Sequence, residues 1–340
     1  MTTRLGPALT FEHLDRLSDQ LGLFEHALLS EPRRAHGYCV DDVARGLVVV
    51  CREAHRTPVL DRLERLYLDF VQNAIAGDGQ SHNRMTVTGE WSDDASLGDW
   101  WGRALWGLGT AAVHGSTPGL RARALLAFRV AAEQRSPHTR AMAGAALGAA
   151  EVLSGYPNEK SARDLLSAVV AAMPPGPTTP AWRWPEPRLR YGNGILPQAL
   201  IVAGAALGRP PVLARGLALL SFLLEIETRG GQLSVTPGHG RGPGEGGPQY
   251  DQQPIEVAAI ADCCASAYQV TGDPRWLAGI RLAWNWFLGH NDSSTMMFDP
   301  DTGGGYDGLQ PDGPNLNQGA ESTLAMLLTA QHARTLRELR

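Results

Sequence analysis

Helical segments of two kinds alternate along this chain, and no feature of the sequence narrows its folding options more. Apolar spacing and terminal punctuation predict helices near 10–28, 41–56, 58–76, 99–114, 118–134, 139–154, 158–173, 195–208, 210–228, 254–271, 273–288 and 320–338. Odd-numbered segments carry a charged face, as in Asp61-Arg62-Leu63-Glu64-Arg65-Leu66. Even-numbered ones, such as 140–153 with the sequence RAMAGAALGAAEVL, are small and apolar on every side and suit helices enclosed by other helices. Thr57-Pro58, Thr117-Pro118 and Asp273-Pro274 place a capping side chain ahead of a first-turn proline, and Gly115 and Gly155 sit where helices stop. An inner ring of even helices inside an outer ring of odd ones is an all-α, six-hairpin (α/α)6 toroid, with residues 1–340 as one domain.

The links obey the same alternation. Those leaving even helices are short: Thr57, Ser116-Thr117, Tyr156-Pro157, Arg209 and Gly272. Five of those entering even helices are long, namely 29–40, 77–98, 174–194, 229–253 and 289–319. In a toroid these long links share one end with the N-termini of the inner helices. Loops of that length more often carry function than idle connection, so that end is the expected site.

Acids stand near the starts of most inner helices: Asp41 and Asp42 in GYCVDDVARG, Asp99 in GDWWGRALWGLG, Glu256 in QQPIEVA and Glu321 in NLNQGAEST, with Glu186 in RWPEPRLRYGNG just before another. Each acid alone also fits a helix cap or a dipole partner. Glu186 is the exception, because Pro185 and Pro187 hold it in extended chain. Together the acids supply the two carboxyls that glycosidic hydrolysis needs, one protonated and one ionised. The candidate catalytic residues are therefore Asp42, Asp99, Glu186 and Glu256. Beside Trp182 and Trp184, Glu186 is expected to have a raised pKa and to serve as the general acid.

The same loops are rich in side chains that bind sugars. Flat aromatics stack on pyranose faces, while amides and arginine bind hydroxyls. The candidate substrate-binding residues are Asp41, Trp100, Trp101, Arg103, Trp184, Tyr191, Asn193, Gln252, Gln253, Asn315, Asn317 and Glu321. Trp100, Tyr191 and Gln253, far apart in sequence, are expected to line one cavity. Trp106 reads as packing between helices.

Other patterns imply less. Gly242 to Gly247 fit G-x-G-x-x-G without any βαβ context, so a mobile lid is expected rather than a nucleotide site. Asp299, Asp301 and Asp307 resemble a calcium loop, but Gly303 occupies a ligand position and a turn is expected. The four cysteines, Cys39, Cys51, Cys263 and Cys264, lack metal-ligand spacing and read as reduced core thiols. No cofactor and no metal are expected. A net charge of −5 with scattered arginines argues against a nucleic-acid partner. The lack of a long apolar run or a secretory leader predicts a soluble, cytoplasmic protein with no membrane partner.

The motifs GYCVDDVARG, GRALWGLGTA, YDQQPIEV and NLNQGAESTLA, set in this helix pattern, resemble a group of bacterial proteins labelled glycosyltransferase or hypothetical within the six-hairpin glycosidase-like superfamily. That resemblance spans most of the chain and implies an (α/α)6 fold in a carbohydrate context. The pair Asp41-Asp42 is also similar to the acidic pairs of α-mannanases and unsaturated glucuronyl hydrolases in that superfamily. The leading expectation is a glycoside hydrolase acting on a short oligosaccharide. Two alternatives stay open: a sugar epimerase or isomerase, in which histidines such as His239 and His290 would move protons, and a non-catalytic saccharide-binding partner of a glycosyltransferase. His36 and His82 lie in the same long loops.

Overall fold

The computed structural model describes residues 10–174, 179 and 181–338. Six helices form the inner ring: α2 (Val40–Arg52), α4 (Asp99–His114), α6 (Thr139–Gly155), α8 (Ile195–Ala206), α10 (Pro254–Thr271) and α12 (Ala320–Glu338). Each packs on the next, and α12 returns to α2, closing the ring. Outside lie α1 (Glu12–Arg16), α3 (Pro58–Ala74), α5 (Pro118–Ala131), α7 (Lys160–Ala172), α9 (Pro210–Glu227) and α11 (Arg275–Phe287). Every inner helix from α2 to α10 packs on the outer helix that follows it, and α12 meets α1. The chain is an (α/α)6 toroid.

The predicted punctuation has a structural basis. Thr57 and Thr117 accept hydrogen bonds at their hydroxyls from the backbone N–H of Leu60 and Leu120, at 3.3 and 3.2 Å, satisfying donors the first turn leaves open. Gly272 ends α10 in the left-handed conformation, φ 67°. Small residues let inner helices touch at the backbone. A Cβ on Gly102 would lie 2.1 Å from the Ala141 carbonyl oxygen, and one on Gly148 would lie 2.0 Å from that of Leu105. The α4–α6 contact therefore requires glycine. All four cysteines are free and buried.

One predicted helix is largely absent. Of the span 10–28, only Glu12–Arg16 is α-helical. Asp19 explains the break: its carboxylate accepts from the backbone N–H of Leu21 and Gly22 at 2.8 and 3.2 Å, a local turn that competes with helix. The chain then forms the two-residue strand β1 (Ala27–Leu28), paired antiparallel with β2 (Glu31–Pro32).

The long links gather at one end and are knitted together there by short ladders that hydropathy did not predict. The strand β3 (Tyr38–Cys39) of one link pairs with β4 (Arg84–Met85) of the next. Gly37, at φ 69°, allows that approach, since a Cβ there would lie 2.3 Å from the Met85 carbonyl oxygen. Hairpins β5 (Thr228–Arg229) with β6 (Gln232–Leu233) and β7 (Gly308–Gln310) with β8 (Gly313–Asn315) stiffen the last two links. Single bridges join Leu189 to Arg241 and Gln252 to Leu309, so separate links form one rim. Residues 175–178 and 180 of the 174–194 link lie outside the described residues. No described helix is long and apolar enough to cross a membrane.

Candidate active site

The rim encloses a cavity of about 510 Å³. Its floor is built from the N-terminal ends of inner helices: Asp41, Asp42 and Arg45 on α2, Asp99, Trp100 and Arg103 on α4, and Glu321 and Ser322 on α12. Its walls come from the links, including Cys39, Arg84, Tyr191, Asp251, Gln253, Asp307 and Asn315. All five long links contribute. Trp100, Tyr191 and Gln253 line this one space.

At its centre lies the Arg45 guanidinium. Nη2 reaches Asp41 Oδ2 at 2.5 Å, Asp42 Oδ1 at 2.7 Å and Glu321 Oε2 at 3.0 Å. The two adjacent aspartates are driven apart in acidity. Burial pushes the Asp42 carboxyl up to about 7; Arg45 opposes that shift, while the charges of Glu321 and Asp41 add to it. Burial acts on Asp41 too, but Arg45 and Arg103 outweigh it and hold that carboxyl below its ordinary value. Arg103 Nε lies 3.5 Å from Asp41 Oδ1. The Cys39 thiol donates to Asp42 Oδ2 at 3.1 Å, and burial keeps that thiol protonated.

Around this pair the walls are pre-set by hydrogen bonds. Tyr191, 54% exposed, donates its hydroxyl to Asp99 Oδ2 at 2.5 Å. The Trp100 indole N–H donates to the Ser81 carbonyl at 2.9 Å, which fixes the ring at the cavity edge. Asp307 accepts from the Ser322 hydroxyl at 2.6 Å and the Gly319 N–H at 2.9 Å. Burial raises the Asp307 and Asp251 carboxyls, and the charge of Asp307 adds to the shift on Asp251.

Several predicted site residues do other work. Glu186 is not in the cavity; both its oxygens pair with Arg140, at 2.8 and 2.9 Å. Its carboxyl lies below the usual range, since burial is outweighed by Arg140 and by hydrogen bonding to Trp184, so the expected raised acid is corrected. Glu256 is buried and accepts from the Gly192 N–H and from both nitrogens of Asn193, which pins the 190s turn to α10. Asn193 is consumed in that clasp. Trp101 and Trp184 are fully buried core. Gln252 is buried, receiving the Trp286 indole N–H at 3.2 Å and donating to Asp292 at 2.7 Å. Asn317 accepts from the Leu29 N–H at 2.9 Å, away from the cavity lining. The Gly242 to Gly247 turn is held by Glu245, which accepts from Arg188 and from the Gly242 N–H. Asp299 accepts from the Asp301 N–H at 2.9 Å, the expected turn.

Sequence reasoning missed Arg45, Arg84, Glu25, His26, Asp251 and Asp307. Arg45 had a signal, since it follows Asp41 and Asp42 by one helical turn. Glu25 and His26 were hidden inside the helix that does not form. Of the histidines in the described residues, His26 alone lines the cavity; His239 and His290 are exposed elsewhere. Oxygens of Asp41, Asp42 and Glu321 lie within 4.8 Å of one another, a spacing compatible with a metal. Arg45 already supplies the cation there.

The fold is the six-hairpin (α/α)6 toroid. No family model matches the chain, and no curated protein matches it in sequence. Solved structures do match in fold. A sugar epimerase from a ruminal bacterium superposes with a TM-score of 0.70 at 15% identity, covering 93% of this chain and 94% of that one. The cellobiose 2-epimerase of Bacillus thermoamylovorans gives 0.69 at 10% identity, with coverages of 95% and 96%. A GH76 α-mannanase of Bacteroides thetaiotaomicron gives 0.66 at 11% identity, with coverages of 96% and 94%.

Proposed function

We propose that this chain is a carbohydrate-processing enzyme, and specifically a glycoside hydrolase acting on a short oligosaccharide, with Asp42 as general acid and Asp41 as its ionised partner. The observation that carries this reading is the opposed acidity of two neighbouring carboxyls on one cavity floor. Asp42 would give its proton to the leaving oxygen while Asp41 attacks the anomeric carbon. Water, deprotonated by Asp42, would then release the sugar. Both carboxyls meet the same Arg45 nitrogen, which keeps them side by side on the cavity floor. Trp100 and Tyr191 would take the sugar rings. Asp99, held by Tyr191, would bind hydroxyls, as would Gln253 and Asn315. Glu186 and Glu256 are set aside as catalytic groups because each is committed to a clasp outside the cavity.

Fold similarity to epimerases supports a second reading, in which proton transfer at a sugar carbon replaces bond cleavage. It has one cavity histidine, His26, to draw on. A panel of α- and β-linked oligosaccharides, assayed for new reducing ends and in D2O for solvent deuterium at C2, separates the two. Hydrolysis lost by about two orders of magnitude or more in Asp42→Asn, with binding retained, supports the hydrolase. Deuterium incorporation that depends on His26, with no cleavage of any substrate, refutes it.

A further inference from the structure

The toroid has a second cavity at its other end, of about 690 Å³. It opens where α2 and α4 finish, at Arg52 and His114, whereas the candidate active site lies where these helices begin. Five side chains from five inner-ring positions form a continuous chain across it. His332 Nε2 meets Asp262 Oδ1 at 2.5 Å, and Arg52 Nη1 meets the same oxygen at 3.1 Å. Arg52 Nη2 reaches Glu151 Oε1 at 3.0 Å, and His114 Nε2 lies 3.1 Å from Glu151 Oε2. Burial works against ionising both acids, but His114 and Arg52 outweigh it at Glu151, held down to about 2, and His332 and Arg52 do so at Asp262.

Trp106 walls this cavity and also a void of about 20 Å³ between the two cavities. The residue is 2% exposed and its indole nitrogen is closed off from the cavity space, so it offers an occupant apolar ring surface rather than a donor.

The lining selects against charge. Arg52 and Arg163 offset Glu151 and Asp262, and His114 and His332 are each committed to one of those acids. An anion would face two carboxylates, and a cation would compete with Arg52 for both. Gln198, Gln269 and Ser266 add neutral hydrogen-bonding groups, and Leu147 and Val202 supply apolar wall. We propose that this far cavity binds a small neutral polyol or sugar at a site separate from the candidate active site. Its groups stand on helices, which hold them in place for hydroxyl recognition.

The test uses crystals of the whole protein soaked in D-mannose, cellobiose, myo-inositol, glucose 6-phosphate or D-glucosamine, with calorimetric titration of the same compounds. Density for a neutral compound in the far cavity, hydrogen bonded to Asp262 or Glu151, is expected. Charged analogues should bind there roughly tenfold more weakly or worse. Ala206→Trp, which fills the mouth, should remove this binding, and Glu151→Gln should weaken it roughly tenfold. Asp41→Asn should leave it unchanged, so failure of the proposed hydrolase reaction is read separately. Density only in the Asp41–Asp42 cavity, tighter binding of a charged analogue, or binding indifferent to both far-cavity variants would overturn the proposal.

Discussion

Arg45 Nη2 lies 2.7 Å from Asp42 Oδ1, and the same nitrogen serves Asp41 and Glu321. One buried guanidinium thus holds three carboxylates together, a contact that is strongly destabilising to break from one side. Arg45→Met should cost about 3–5 kcal/mol at pH 8. The sign with pH follows from what remains: without the cation, mutual repulsion raises the carboxyl pKa values in the folded state. That penalty grows as pH rises and fades as the acids protonate. Urea unfolding at pH 5 and pH 8 should show the larger deficit at pH 8.

Asp42 alone makes a related prediction. Its folded-state value near 7 stands above the ordinary 3.8, so the folded protein binds the proton more tightly than the unfolded chain. Its contribution to stability is therefore present below about 3.8 and lost as pH rises through about 7. Asp42→Asn removes this term, so the variant should gain on the wild type across that window and run parallel above it. Glu227, also buried and raised to about 7, titrates in both proteins and cancels in the difference. Unfolding midpoints for the two proteins that stay parallel from pH 4 to pH 8 would contradict the assignment.

Glu186 should matter for stability rather than for chemistry. Its two bonds to Arg140 position a guanidinium that also donates to the Tyr191 carbonyl at 2.6 Å and lies 4.8 Å from the Tyr191 ring centroid. Glu186→Gln should lower stability by about 1–3 kcal/mol and leave turnover within a few-fold. A shift in KM is allowed, since Tyr191 lines the cavity. A loss of kcat by about two orders of magnitude would restore the catalytic role that its tryptophan and proline neighbours suggest.

What the sequence disclosed follows a physical divide. Helix type and link length report burial and connectivity, which are properties of a whole segment, and so the ring and its functional end were legible. Site membership depends on where individual side chains turn. Glu256 and Asp42 each fall in the first turn of an inner helix, yet one clasps Gly192 and the other faces the cavity. No local pattern separates them. Trp184 stands in the 174–194 link and Trp100 in the first turn of α4, yet the link residue is buried and the helix residue is left at the cavity edge. Arg140 is 46 residues from Glu186 in sequence, so the pair that reverses the expected acidity was out of reach of any neighbour argument.

The α4–α6 seam offers a test of the fold itself. Gly148 sits where a Cβ would be 2.0 Å from the Leu105 carbonyl oxygen and 2.9 Å from the Trp106 nitrogen, both backbone atoms that no side-chain rotation can clear. Gly148→Ala must push the two inner helices apart, and overpacking of this kind costs about 1–3 kcal/mol. Gly119, in the first turn of α5, is the matched control, because its added Cβ meets only the Thr117 hydroxyl at 4.0 Å. Gly119→Ala should be neutral or stabilising by up to about 1 kcal/mol, as expected where alanine replaces glycine in an open helix position. Since α4 also carries Asp99, Trp100 and Arg103 into the cavity, Gly148→Ala should lower kcat/KM as well as Tm. Equal thermal unfolding of the two variants would show that the helices do not approach as closely as this seam requires.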